Sequence, residues 1–182
     1  MCKQGFMNSS IRKVEVVAHN PDWRRLFVVE ADAIAKILGL NLVEIYHIGS
    51  TSIPTIYAKL IIDLLAAVKD IENVDRKNMA MADLGYEAMG EFGIGDRRFF
   101  RKDNAAGKRT HHVHIFPADS PQISRHLAFR DYLLAHPNEA QQYSQLKRKL
   151  AQNHPNDIDS YMDGKDEFIK NIDRKALNSD RN

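Results

Sequence analysis

Residues 60–68 read Leu, Ile, Ile, Asp, Leu, Leu, Ala, Ala, Val, so an extended chain here is apolar on both faces apart from one carboxylate, Asp63. Such a run belongs inside a sheet covered on both sides. It ends at Lys69, well short of the roughly 18–20 residues that cross a bilayer as a helix, and no membrane span is expected. The 182 residues are 43% apolar and carry 26 Lys+Arg against 24 Asp+Glu, a formal charge of +2. That balance suits one buried core and excludes a disordered chain. A surplus of two charges also argues against nucleic acid as the partner, although local clusters of cations do occur. The single cysteine, Cys2, excludes an internal disulfide and multi-thiolate metal sites. Residues 1–10 have no apolar block of the signal-peptide kind, and the cytoplasm is the expected compartment.

Around the central strand, a short strand is expected at 14–17. A helix follows from 21 to about 38, with Asn20 as its cap, Pro21 in its first turn and Gly39 as its stop. A second strand is expected at 42–48, then a turn or short helix, a helix at 71–84 closed by Gly85, and strands at 86–89, 97–102 and 111–116. From Pro121 the pattern turns helical, with segments 121–135, 138 to about 152 and 157 to about 177 separated by Pro137 and Pro155. The expected fold class is α+β: a mixed sheet to about 117 and a C-terminal helical block from about 121. Residues 14–177 form one domain in this reading, with 1–13 as a disordered tail and 178–182 as a second tail.

Three stretches carry the chemistry. An ionised, unpaired Asp63 inside an apolar strand would cost several kcal/mol. It therefore pairs structurally with Lys59 or an arginine, or serves a site. The preceding turn at Gly49 and Ser50 offers backbone N–H groups and a hydroxyl to an anion. In residues 110–116, period two puts His112 and His114 on one face with Phe116, and His111 on the other. Paired imidazoles can share a divalent cation with Asp63, act as acid and base, or be structural. Arg97, Phe99 and Arg101 share one face of a basic strand, and Arg98, Phe100 and Lys102 share the other. Guanidinium forks and aromatic rings suit a phosphate-bearing ligand; the alternative is a solvated hairpin with two core phenylalanines. Arg125, His126, Arg130 and Asp131 border a pocket or lie on a wet helix face. Gly164 either admits Lys165 to a phosphate or is a packing glycine. There is no Walker A motif, no His-Glu-x-x-His and no complete dinucleotide fingerprint at Gly93 and Gly95.

The series His-Ile-Gly-Ser-Thr-Ser-Ile-Pro at 47–54, Ile-Ile-Asp-Leu at 61–64, Gly-x-x-x-Arg-Arg-Phe-Phe-Arg-Lys at 93–102 and Thr-His-His-Val-His at 110–114 resembles the GrpB family. So do His-Leu-Ala-Phe-Arg-Asp-Tyr-Leu at 126–133 and Tyr-Met-Asp-Gly-Lys-Asp-Glu-Phe-Ile at 161–169. The resemblance covers residues 14–177 and implies a nucleotidyltransferase-like fold. It places Gly49 and Ser50 at that superfamily's phosphate-binding turn and Asp63 at the first of its two strand carboxylates. The second position is Leu65. Two-metal nucleotidyl transfer needs several anionic ligands, so Asp63, His112 and His114 imply a single divalent ion, Mg, Mn or Zn, with the nitrogen donors favouring a transition metal.

The expected function is an enzyme that binds a nucleotide or another phosphorylated small molecule between the sheet and the C-terminal helices, with nucleotidyl transfer to an unidentified acceptor as its reaction. Asp63, His112 and His114 are the expected catalytic and metal-binding residues. Gly49, Ser50, Thr51, Lys59, Arg98, Arg101 and Lys165 are the expected phosphate- or nucleotide-binding residues. The alternative is a non-catalytic nucleotide-binding module whose acidic site degenerated at Leu65.

Overall fold

A computed structural model of the chain describes residues 13–179. The tails expected at 1–13 and 178–182 therefore lie largely outside the described residues, as does Cys2. Helix α1 (Asp22–Leu38) begins where Asn20 Oδ1 accepts from the Asp22 N–H (2.9 Å) and ends at Gly39 with φ +56°. Strands β1 (Leu42–Ile48) and β2 (Ile62–Val68) follow, separated by a single 3₁₀ turn at Ser50–Ser52. Two short helices, α2 (Glu72–Asp75) and α3 (Asn78–Asp83), replace the one helix expected at 71–84. The chain tightens between them, because the Lys77 N–H bonds three residues back to Val74 O, a local geometry that apolar periodicity does not report. Then come β3 (Tyr86–Ala88), β4 (Arg98–Asp103) and β5 (Arg109–Pro117), and finally α4 (Pro121–Ala135), α5 (Pro137–Asn153) and α6 (Ile158–Ser179).

The five strands form one mixed sheet in the order β1-β2-β5-β4-β3, in which β2 and β5 run parallel and their neighbours antiparallel. This is the α+β arrangement expected, with helices flanking the sheet and a helical C-terminal block. The strand expected at 14–17 does not form. Val17 makes one bridge to Ala58, while the Val14 N–H bonds to Pro155 O, so the segment is shared between two parts of the molecule and never acquires a ladder.

Both faces of β2 are covered. Leu64, Ala66 and Val68 pack with Val113, Ile115 and Phe100 beneath Trp23, Ala31, Ile34 and Leu38 of α1. On the opposite face Leu65 and Ala67 meet Ile48, Phe116 and, from α4, Ile123. A third cluster joins Ile53 and Ile56 to Leu133, Ala140, Tyr143 and Ile172, tying the C-terminal helices to the loop after β1. Asp63 lies on the α4 side, since it alternates with Leu64 and shares its face with Leu65. No helix among the described residues is long and apolar enough to cross a membrane.

Candidate functional site

Parallel pairing puts Asp63 opposite His112 and Leu65 opposite His114. The period of two then brings the carboxylate and both imidazoles to one face, at the end of β2 that receives the turn after β1. One ligand atom from each of Asp63, His112 and His114 lies within 4.8 Å of the others. His112 Nδ1 sits 3.0 Å from Asp63 Oδ1. An ionised carboxylate only accepts, so Nδ1 carries the donated proton and Nε2 is turned away from the acid. Both side chains keep about a quarter of their surface exposed, 23% for His112 and 24% for Asp63.

Burial works against ionisation of Asp63, but the hydrogen bond from His112, followed by the charges of His112, His114 and Lys59 wherever those groups are protonated, outweighs it and holds the carboxyl below its ordinary range. His114 is pushed down to about 3 by burial, against the pull of Asp63, and stays neutral at physiological pH. Arg97 approaches its Nδ1 at 3.4 Å and lies over the Phe99 ring, 4.9 Å from the centroid. His126 of α4 faces His114 with ring centroids 5.8 Å apart, and burial likewise lowers it to about 4.

The turn before the acid is shaped by that acid. Gly49 has φ +70°, and a Cβ there would fall 2.3 Å from Asp63 Oδ2. Glycine is thus demanded twice, by the backbone and by the carboxylate. Ser50 interacts with the buried phenol of Tyr143. The Thr51 hydroxyl is buried and turned inward, donating to Ile61 O (3.2 Å) and lying 3.0 Å from His47 Nε2.

Of the expected phosphate ligands, Lys59 and Lys165 converge on this side. Their ammonium groups lie 5.5 Å and 4.5 Å from the centroid of the Tyr161 ring, and both couple electrostatically to Asp63. Arg101 shares the sheet face of the acid and pairs with His112 across the ladder, but its guanidinium is held by Glu87 at 2.5 Å. Arg98 is not brought to the site. It alternates onto the opposite face, where Nε and Nη2 grip both oxygens of Asp75 at 2.6 and 2.8 Å. Gly164 meets Leu150, whose Cδ2 would be 2.4 Å from an added Cβ, so it is a packing glycine between α6 and α5. Arg125 bridges to Asp173 on α6, and Arg130 donates to His47 O. Both tie α4 to its neighbours from a partly solvated face, where Arg130 also pairs with the exposed Asp131 at 2.7 Å.

Sequence reasoning missed Tyr143 and Lys147, and gave Arg97 and Tyr161 no place among the expected site residues. The signal available was a Tyr-x-x-x-Lys spacing in both α5 (Tyr143, Lys147) and α6 (Tyr161, Lys165), which puts each lysine on the face of its tyrosine.

Two metal ions of the kind used in nucleotidyl transfer do not fit. The position at which the resemblance implies a second carboxylate holds Leu65, which is 0% exposed against Ile48, Ala67 and Phe116. A single ion fits the two imidazoles and one carboxylate as a donor set.

The family model described as GrpB protein matches residues 13–175. The UPF0157 protein YqkA of Bacillus subtilis is 47% identical over 165 residues; the match takes in 91% of this chain and 48% of that protein, so this chain spans about half its length. The glutamate-rich protein GrpB of Alkalihalophilus pseudofirmus is 34% identical over 88% of this chain and 94% of its own. The crystal structure of GrpB from Enterococcus faecalis superposes with a TM-score of 0.88 at 48% identity, covering 92% of this chain and all of that one. A matched family model over nearly the whole length, together with this fold, shows that the chain belongs to the GrpB family.

Proposed function

We propose that this chain is an enzyme acting on a nucleotide or another phosphorylated small molecule, bound between the α4 side of the sheet and helices α5 and α6. The observation that carries the reading is the Asp63–His112 hydrogen bond beside neutral His114, at the foot of the Gly49–Ser50 turn. A carboxylate that orients an imidazole through Nδ1 leaves Nε2 to take a proton from an attacking hydroxyl or water. The backbone of the Gly49 turn and the ammonium groups of Lys59 and Lys165 supply the anion-binding side. Alternatively, Asp63, His112 and His114 would hold a divalent ion that polarises a phosphoryl oxygen, with His112 Nε2 then a ligand in place of a base. Transfer of a nucleotidyl group to an acceptor is the specific reaction favoured.

The test is product analysis after incubation with nucleoside triphosphates and Mg²⁺, Mn²⁺ or Zn²⁺, for the wild type and Asp63→Ala. Conversion that depends on Asp63 supports the reading. A second reading is favoured by the buried Leu65: a module that binds the same ligand without converting it. Binding without product under every metal would select it.

A further inference from the structure

Lys147 of α5 has no part in the reading above, yet it is an unusual cation among the described residues. Lys147 is 2% exposed, and its Nζ has no hydrogen-bond partner. It rides on the Tyr143 ring, 4.5 Å from the centroid. A ring face attracts a cation but supplies no acceptor with a lone pair, and it cannot offset repulsion between neighbouring ammonium groups. That repulsion is present. Burial first, then the charges of Lys165 and Lys59, pull Lys147 down to about 7; burial and Lys59 pull Lys165 down to about 8. Lys165 is itself 7% exposed and donates to the Met162 sulfur at 3.3 Å, a weak acceptor. The carboxylate that draws on both lysines is Asp63. Lys147, Lys165 and Lys59 thus bring three ammonium groups into the field of Asp63.

A chain that keeps a desolvated, unpartnered ammonium next to two more loses stability unless something anionic completes the set. We propose that Lys147, with Lys59 and Lys165, forms a buried subsite for a phosphoryl group bearing at least two negative charges, set between the Ser50 turn and the Tyr143 and Tyr161 rings. The proposal rests on the reading of this face as a site for a phosphorylated ligand. It adds where the phosphate sits and that the ligand is a multiply charged phosphate, such as a diphosphate or triphosphate ester, in preference to a diester.

The experiment is calorimetric titration of inorganic pyrophosphate and tripolyphosphate into the full chain with a chelator present, beside thermal melts of the free proteins. Lys147→Met removes the charge at similar volume, and Lys149→Met on the exposed face of the same helix is the control. The expected result is binding to the wild type and to Lys149→Met, weakened about 10- to 100-fold in Lys147→Met, whose free form melts no lower than the wild type. Equal affinity of the wild type and Lys147→Met, or no binding to the wild type, would overturn the subsite. So would a clear fall in the melting temperature of free Lys147→Met, which marks a structural lysine. Asp63→Ala separates the two readings: it should keep or tighten pyrophosphate binding while losing turnover. Failure of turnover therefore leaves this result standing, and failure of this result leaves Asp63-dependent turnover standing.

Discussion

Position 49 and Asp63 are bound to each other by an absence: the Cβ of any residue but glycine at 49 would stand 2.3 Å from Asp63 Oδ2. The turn and the carboxylate occupy one space, which couples the Gly49–Ser50 turn to the acid beneath it. Gly49→Ala must both displace Asp63 and strain a backbone at φ +70°. A loss of about 1–3 kcal/mol is expected in denaturant unfolding, with weakened ligand turnover. A stable Gly49→Ala protein with unchanged turnover would show that the contact has no consequence.

Lys147→Met gives a pH-dependent prediction. The folded pKa of Lys147 is lowered from the ordinary 10.5 to about 7, by burial first and by Lys165 next. Between those values the unfolded chain holds a proton that the folded chain has released, so stability attached to this group rises with pH across the window. Below pH 7 both states are protonated and the cost of the buried cation is complete. Free Lys147→Met should therefore exceed the wild type by a few kcal/mol near pH 7, and the difference should shrink toward pH 10. A difference that grows with pH has the wrong sign.

Much of this was legible in the sequence, and the reasons differ by residue. The two-sided apolar run marked β2 as an interior strand, and period-two alternation sorted His112 and His114 from His111, and Arg98 from Arg101. What alternation cannot supply is which face belongs to the site. Arg98 fell on the α1 side because its register partner is Ile115 and Asp75 waits there. Lys147 went unnoticed because its meaning lies in tertiary burial: in the sequence it is one lysine in a polar helix, and its 2% exposure is a product of packing that the spacing from Tyr143 does not report. The break between α2 and α3 depends on one local hydrogen bond, which leaves no mark on hydrophobic spacing.

Arg98→Ala follows from that placement. It breaks a bidentate pair with Asp75, which is half exposed, and should cost about 1 kcal/mol or less. Ligand affinity should be unchanged. A large affinity loss, measured by calorimetry, would mean that Arg98 reaches the ligand after all.

Gly164 and Leu150 should show energetic coupling. With Leu150 present, an added methyl at 164 meets three of its side-chain carbons, at 2.4, 3.0 and 3.3 Å, and Gly164→Ala should destabilise the fold by about 1–3 kcal/mol. In a Leu150→Ala background the same change should become stabilising, approaching the helix-propensity gain of about 1 kcal/mol. A double-mutant cycle in urea measures the reversal, and additive effects would deny the contact.

The most direct measurement is phosphorus NMR of the wild type and Asp63→Ala incubated with a set of nucleoside triphosphates and Mg²⁺, Mn²⁺ or Zn²⁺, with fold checked by circular dichroism. The expected result is conversion of at least one triphosphate by the wild type and a loss of about 10³-fold or more in a folded Asp63→Ala protein. Turnover that survives intact without Asp63 would contradict the acid–imidazole centre outright.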